Sequence, residues 1–585
     1  MKKIILLLIV LVSVGCFAQS AGQKISDKLN VVLQNSGADD EILIWVFFSD
    51  KGENLEAYFT NPTSVVSEKS LLRRAKVLSE NKLITQTDFP VNQNYITQIE
   101  SAGFKLKQKT KWFNGVSGWV TKAELVQIAE LQFVKKLDIV FRFRKDNFEN
   151  ESLDNEQGNS GQDLLKPEEV HSFNYGQSFI QLNQITIPQV HDLGYTGAGV
   201  TICMMDAGFD LLSHQVFSTM NIIATWDFVN GDPDVENGSD MGDGSHGTAT
   251  LSLIGGFFEG QLIGPAFGAD FILAKTENTD SETPIEEDNW IAALEWADSI
   301  GVDVTSTSLG YLDFDPPGPG PEDYTWQDMD GNTARITIGA DLAVGLGIFV
   351  VNSAGNGGFV SAPENTLGAP ADGDSVVAAG SVNSSGSRSG FSSVGPTFDG
   401  RIKPDLMAMG SNDYHACNSF NSCYNNGSGT SYSCPLLAGA SALLLEVDPS
   451  LTPMQLLGLL RNHASQSSNP DRLMGWGIIN TYETVQELVT SADNNIQPED
   501  YYILKNYPNP FNPSTKIQFT VPQKLEVKLT LHDVLGREIK VLFNDEVESG
   551  LHEYQLNSDN LSSGVYFVRM VTSDFTKSLK ISLLK

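Results

Sequence analysis

Between Tyr175 and Leu488, short apolar runs alternate with stretches whose apolar positions recur at helical spacing. The runs are Val200 to Met205, Phe271 to Ala274, Val302 to Ser306, Gly347 to Asn352 and Ser375 to Ala379; Ser245 to Ile254, Trp290 to Ile300 and Ala334 to Leu346 are the helical stretches. Strands without polar alternation must be covered on both faces, and strands separated by helices pair in parallel through crossover connections. The pattern predicts an α/β doubly wound parallel sheet, in which ligands meet the carboxyl ends of the strands. It occupies little more than half of the 585 residues, so the chain holds further folding units.

Upstream, Glu41 to about Val140 mixes both periods. A strand at Ile42 to Phe48 precedes helical patterns at Ser67 to Ser79 and Asn92 to Ser101, strands near Phe104 to Lys111 and Phe113 to Val120, a helix at Lys122 to Leu131 and a closing strand at Phe133 to Val140. This predicts a small α+β module. The charged, Asn/Gln/Gly-rich Phe141 to Ser172 has the composition of an exposed, cleavable linker. Downstream of Ser491 a polar stretch leads to strand alternation without helix, at Lys516 to Val521, Val527 to His532, His552 to Leu556 and Val565 to Val571, the pattern of a small all-β sandwich.

The first residues run Lys2-Lys3, an apolar stretch Ile4 to Val14, then Gly15-Cys16-Phe17-Ala18-Gln19. That order is a secretory signal with cleavage near Ala18, and the apolar run is too short to span a bilayer. Cys16 as a lipid acceptor is a second reading, which Ser13 disfavours. Export leaves Cys203, Cys417, Cys423 and Cys434 in an oxidising setting. Cys417 and Cys423 bracket the turn-like Asn-Ser-Phe-Asn-Ser, so a small loop staple is expected there; Cys203 and Cys434 read as buried, inert thiols. No Cys/His spacing fits zinc.

The formal charge of −34, from 38 Lys and Arg against 72 Asp and Glu, repels phosphate backbones and excludes nucleic acid as a partner. Nearly all of this acidity belongs to residues 166–490.

Three features of that acidic segment occur in the order Asp, His, Ser. Asp206 ends an apolar strand and is followed by Ala-Gly. His246 lies in Asp-Gly-Ser-His-Gly-Thr, at a helix start among small residues that let a substrate approach. Ser431 follows Gly427 and Gly429 and opens a long apolar helix, where the dipole and free N–H groups favour a developing oxyanion. Asp206 and His246, each taken alone, are more often structural. Together they supply what a serine nucleophile needs, an imidazole base and a carboxylate that fixes its tautomer. The alternative G-x-S-x-G arrangement fails because position 433 is Ser433 and because its triad would begin with the serine. Asn356, after another buried strand, offers a side-chain amide as a second oxyanion donor beside the Ser431 N–H.

At these residues the chain resembles the subtilisin-like serine peptidases, or subtilases. Asp206-Ala-Gly, His246-Gly-Thr, Ser353-Ala-Gly-Asn356 and Gly429-Thr-Ser431-Tyr-Ser-Cys-Pro435 look like the family's signature blocks in the family's order. The resemblance implies a subtilisin-like doubly wound sheet, Asp206, His246 and Ser431 as the triad, and Asn356 as the oxyanion donor. It further implies Ser308-Leu309-Gly310 as an edge that pairs with an extended peptide, with Ala354 and Gly355 in the pocket wall. Tyr432 stands where the family usually has Met, and Ser433-Cys434 replace two small residues.

Ser67 to Lys76, Trp112 to Ser117 and Glu295 to Asp303 look most like secreted subtilases of Bacteroidetes-type bacteria, and the N-terminal module resembles a subtilase propeptide, chaperone and inhibitor of its own enzyme. The tail resembles the type A sorting domain of the type IX secretion system, through Tyr507-Pro-Asn-Pro-Phe511 and Gly564-Val-Tyr-Phe567. The organisation expected is signal peptide 1–18, propeptide and linker 19–165, catalytic domain 166–490, linker 491–503 and sorting domain 504–585. The implied activity is a secreted serine endopeptidase, exported via the periplasm, acting on proteins or peptides through an acyl-enzyme. An inactive binding module on the same scaffold, and a serine esterase, are the competing readings.

No cofactor is required by this chemistry. Structural Ca²⁺ is common in the family, and Asp232, Asp234, Glu236, Asp240 and Asp243 cluster before His246, but Gly238 is one place late for an EF-hand loop. A solvated acidic loop is the expectation there, and likewise for Glu282, Glu286, Glu287 and Asp288.

Overall fold

The computed structural model describes residues 23–140, 171–237, 244–278, 286–311, 324–495 and 502–583, apart from short gaps at 508, 510, 522, 535, 559–560 and 574–575. The expectations for the signal peptide, the Phe141 to Ser172 linker up to residue 170, Asp240, Asp243 and Glu282 lie outside these residues. The chain divides into two compact units, Met1–Tyr482 and Glu483–Lys585.

The first unit opens with α1 (Asp27–Asn35), β1 (Glu41–Phe48), α2 (Glu56–Thr60), α3 (Glu68–Arg74), α4 (Gln93–Ser101), β2 (Lys105–Thr110), β3 (Gly115–Thr121), α5 (Lys122–Glu130) and β4 (Val134–Ile139). The strands form an antiparallel sheet in the order β2-β3-β1-β4. Local chemistry sets the helix starts: Ser67 and Asn92 cap α3 and α4 with their side-chain oxygens, and Thr121 with Glu124 forms a capping box at α5. The helical pattern that continues to Ser79 in the sequence stops as a helix at Arg74.

There follow α6 (Phe179–Gln184), α7 (Ile187–Asp192), β5 (Thr201–Asp206), β6 (Asn221–Asp227), α8 (Ser245–Gly255), β7 (Phe257–Phe258), β8 (Leu262–Ile263), β9 (Asp270–Lys275), α9 (Glu286–Ile300), β10 (Val304–Thr307), α10 (Arg335–Gly345), β11 (Phe349–Ser353), β12 (Val377–Val382), β13 (Leu406–Met409), β14 (Asp413–Ala416), β15 (Tyr424–Gly427), α11 (Thr430–Val447), α12 (Pro453–Asn462) and α13 (Thr481–Asn495). Seven strands make one sheet in the order β13-β12-β11-β10-β5-β9-β6, parallel throughout. All residues of β5, β10, β11, β12 and β13 are buried, as expected of strands covered on both faces. Two helix pairs, α8 with α11 and α9 with α10, pack on it. Fully buried Trp290 and Phe271 anchor this core, each contributing roughly 2–3 kcal/mol of transfer free energy. Successive strands leave β5 in opposite directions, β9 on one side and β10 on the other, so the end of β5 is the switch point where such sheets place ligands.

The second unit carries β16 (Tyr502–Tyr507), β17 (Ser514–Val521), β18 (Leu525–His532), β19 (Glu538–Val547), β20 (Gly550–Asn557), β21 (Gly564–Val571) and β22 (Thr576–Leu583). They form antiparallel sheets β16-β17-β20 and β19-β18-β21-β22, whose inner residues, among them Phe519, Leu529, Leu556 and Val568, share one core. This is the all-β sandwich expected, with β16, β19 and β22 added to it.

One local expectation changes. Glu286, Glu287 and Asp288 are buried in the first turn of α9 and are not a solvated face. The positive end of the helix dipole and the Tyr324 hydroxyl, which donates to Glu287 Oε1 at 3.0 Å, make that burial tolerable. Burial pushes Glu287 up to about 7 and Asp288 well above the usual carboxylate range. The expected loop staple is present, Cys417 bonded to Cys423, and Cys203 and Cys434 are buried free thiols.

Candidate active site

Asp206 is the last residue of β5 and is completely buried. Its carboxylate has three partners: Oδ1 lies 2.7 Å from His246 Nδ1 and accepts the Ala207 N–H at 2.8 Å, while Oδ2 accepts from Thr250 Oγ1 at 2.9 Å. His246 sits in the first turn of α8 and Thr250 one turn on, so one helix face delivers both groups. The sequence reading did not single out Thr250, although its i+4 spacing from His246 marks it. Gly247 allows the approach, because a Cβ there would lie 1.9 Å from the Gly208 carbonyl oxygen.

Ser431 is the second residue of α11, next to the end of β10. Its Oγ donates to the Ser308 carbonyl at 3.1 Å, and the Ser308 hydroxyl donates back to the Ser431 carbonyl at 2.9 Å. β10 is the neighbour of β5, so Ser431 and the Asp206–His246 pair share one edge of the sheet. Gly429, at the N-cap with φ 153°, turns the chain into the helix there.

Asn356 follows β11, the next strand over. Its Oδ1 accepts the Thr430 N–H at 2.9 Å and the Thr430 Oγ1–H at 3.0 Å, which fixes the amide with its oxygen on the helix. The NH2 end is then the free donor. Thr430 is a second positioning residue that sequence reasoning missed, and it also accepts the Gly355 N–H at 3.3 Å.

Leu309 and Gly310 are half-buried and continue from Ser308 beyond β10. The Leu309 carbonyl is tied down by Asn352 Nδ2 at 2.8 Å, and Tyr311 pairs with Ala369. Ala354 is fully buried, its N–H bonded to the Ala379 carbonyl at 2.9 Å. His415, on β14, packs its ring 5.2 Å from Tyr432; burial, with a smaller contribution from nearby His246, lowers its pKa to about 4.

The N-terminal module rests on the other side of α9. The Glu295 carboxylate accepts the Lys111 and Trp112 N–H groups at 2.8 and 3.0 Å and the Thr110 hydroxyl. Gln108 Nε2 donates to Asn289 Oδ1 and to the Phe228 carbonyl, both at 2.8 Å. The Arg335 guanidinium lies over the Trp45 and Phe47 rings at 5.2 and 5.1 Å and contacts Asp138 at 3.3 Å.

Among the described residues no group of three or more His, Cys, Asp or Glu is arranged to hold a metal ion. Asp232, Asp234 and Glu236 spend oxygens on backbone amides, those of Asp234, Glu236 and Leu212 in turn. Among the described residues no helix is long and apolar enough to cross a membrane.

A parallel crossover sheet with a buried carboxylate–imidazole pair and a helix-borne serine on one edge defines the class, an α/β serine peptidase. The chain belongs to the subtilase family. Residues 197–477 match the Subtilase family, residues 43–158 the Peptidase S8 propeptide domain of Bacteroidota, and residues 505–583 the Secretion system C-terminal sorting domain. Subtilisin NAT of Bacillus subtilis subsp. natto is 32% identical over 328 residues, which is 56% of this chain and 74% of that protein. Subtilisin E of Bacillus subtilis strain 168 is 32% identical over the same shares, and Serine protease AprX of that strain is 29% identical over 319 residues, 50% of this chain and 67% of its own. The enzyme is thus a serine-type endopeptidase with a propeptide domain, and its sorting domain implies secretion or display at the cell surface.

Proposed function

We propose that Asp206, His246, Ser431 and Asn356 carry out peptide-bond hydrolysis through an acyl-enzyme. His246 takes the Ser431 hydroxyl proton at Nε2 as Oγ attacks the scissile carbonyl, and Asp206 holds the ring through Nδ1 and stabilises the imidazolium. The tetrahedral oxyanion is held by the Ser431 N–H and the Asn356 amide. His246 returns the proton to the leaving amine, and water enters by the same base to release the acid and restore Ser431. The substrate lies extended along Ser308 to Gly310, adding a strand.

The observation that carries this reading is the 2.7 Å contact between Asp206 and His246, with the remaining Asp206 oxygen satisfied by Thr250. A buried carboxylate so placed orients the ring and stabilises its charged form. The further assignments are a signal peptide at 1–18, a propeptide and linker at 19–165 that inhibits its own enzyme, a catalytic domain at 166–490, a linker at 491–503 and a sorting domain at 504–585 handed to the type IX machinery from the periplasm. Protein or peptide chains are the substrates.

Labelling with a serine-directed sulfonyl fluoride tests the assignment. An adduct on Ser431 in the processed protein, absent in Ser431→Ala together with peptide hydrolysis, is expected. In subtilisin, a relative, the serine knockout costs about 2 × 10⁶ in kcat, which sets the scale. Absence of an adduct favours the inactive binding module.

A further inference from the structure

α3 lies apart from the sheet that rests on α9, yet it is fixed to the catalytic domain by charge. Its cap, Ser67, donates from Oγ to the Ile300 carbonyl at 2.6 Å and from its N–H to the Ser299 carbonyl at 2.8 Å, at the end of α9. Arg73 and Arg74, in its last turn, are 1% and 0% exposed. Arg73 donates to the Val302 carbonyl at 2.6 Å, the Leu346 carbonyl at 3.1 Å and Asp298 Oδ1. Arg74 donates to Asp298 Oδ2 and Asp88 Oδ1, both at 2.6 Å, and to the Leu83 carbonyl at 2.8 Å. One fully buried carboxylate, Asp298 of α9, thus serves two guanidinium groups of the propeptide. Beside it Lys69 reaches Asp303 at 2.8 Å.

The catalytic domain's half of this cluster is one carboxylate and two carbonyl oxygens that follow the ends of α9 and α10, where helix dipoles are negative. Such a set fits a forked cation and leaves Asp298 uncompensated without one. Burial raises the Asp298 pKa, but Arg73, Arg74 and Lys111 outweigh it and hold the carboxyl below its ordinary value.

The cluster is also remote from the chemistry. Val302 and Asp303 precede β10, Leu346 precedes β11, and Thr201, which receives the Lys69 ammonium, begins β5. Asp206, Ser308 and Asn356 stand at the opposite, carboxyl ends. A six-residue strand separates the two edges by about 17–20 Å.

We propose that Arg73, Arg74 and Asp298 form the latch that holds the propeptide on the catalytic domain, and that its vacated half is an arginine-reading exosite through which the cleaved propeptide is retained as inhibitor. This rests on the reading of the N-terminal module as an inhibitory propeptide. Retention is then set at the edge of the sheet away from Ser431. Removing one partner of a fully buried pair leaves the other charge unpaired, so propeptide binding weakens roughly a hundredfold or more.

Hydrogen exchange on the full chain carrying Ser431→Ala reads docking without turnover. Adding Arg73→Gln and Arg74→Gln is expected to speed exchange of the Lys111 and Trp112 amides, which Glu295 holds, roughly a hundredfold. Asp298→Asn, which leaves the propeptide sequence intact, is expected to do the same even if the arginine variant does not fold. Unchanged exchange at Lys111 and Trp112 in Asp298→Asn overturns the latch. In the chain that keeps Ser431, the Arg73→Gln, Arg74→Gln pair is expected to shift the concentration at which self-inhibition disappears on dilution by the same factor, with kcat/KM of the fully released enzyme unchanged; a shift below threefold overturns the exosite. If the unaltered chain hydrolyses no peptide, the proposed function fails, while the exchange result still decides the latch.

Discussion

Asp206 and His246 are separated by 40 positions in the chain, yet Oδ1 and Nδ1 lie 2.7 Å apart beneath a surface that leaves the carboxylate no exposure. One is the last residue of a strand and the other lies in the first turn of a helix, and the two fit because Gly247 lets α8 close on the turn after β5.

That contact predicts the effect of Asp206→Asn. The amide keeps the shape but not the charge that stabilises the imidazolium, and it lets the ring take the wrong tautomer. A loss of roughly 10⁴ in kcat with KM little changed is expected, the size seen for the equivalent change in a chymotrypsin-type triad. Steady-state kinetics on a peptide substrate measure it; a loss under tenfold would remove Asp206 from the mechanism.

Asn356→Ala removes a donor that Thr430 holds in one orientation. The expected cost is roughly 10² to 10³ in kcat, a magnitude taken over from oxyanion-donor removal in subtilisin, a relative of this chain. Thr430→Val, which deletes only the hydroxyl, should lower kcat by a smaller factor. An effect of either change confined to KM contradicts the oxyanion role.

The Cys417–Cys423 bridge closes a loop with a sequence separation of 6. Loop-closure entropy for so short a span gives about 2 kcal/mol. Cys417→Ser with Cys423→Ser should therefore lower the stability of the catalytic domain by that amount, read in denaturant unfolding. Equal stability would mean that the hairpin β14–β15 and the His214 contact to the Cys423 carbonyl, 2.9 Å, already hold the loop.

Acid should destabilise the enzyme through two buried imidazoles. Burial lowers the pKa of His191 and of His415 from 6.5 to about 4. A histidine whose folded pKa is depressed contributes stability that is complete above 6.5 and lost as the pH falls through about 4, on the order of 3 kcal/mol per residue. Glu287, raised from 4.5 to about 7, acts in the opposite sense, its contribution being complete below 4.5 and lost as the pH rises through 7. His191→Gln, although less stable at pH 7, should lose less between pH 6.5 and 4 than the unaltered chain; parallel losses in thermal midpoint would refute the assignment of His191.

The strands and helices that carry the site were legible because they are buried on both faces. β5, β10 and β11, like α8 and α10, lie within two residues of the apolar runs and helical patterns in the sequence, and β12 lies within three. Asp206, His246, Ser431 and Asn356 stood out because glycines and small residues flank them. Among the strands that went unread, β6, β19 and β22 are edge strands with mostly exposed or half-exposed residues, where no apolar period forms. β13, only four residues long, is buried but too brief to show one.

The sequence alone determined the family and the order of the modules, because signature blocks and strand ends are each set by a few neighbouring residues. Tertiary structure alone decided which charges are buried. Glu286, Glu287 and Asp288 read as a solvated run, and nothing in the helical pattern over Ser67 to Ser79 marked Arg73 and Arg74 for burial. Asp298 lies 225 and 224 positions from those arginines. Whether a charge meets water depends on surfaces brought from elsewhere in the chain, and a local pattern holds no record of them.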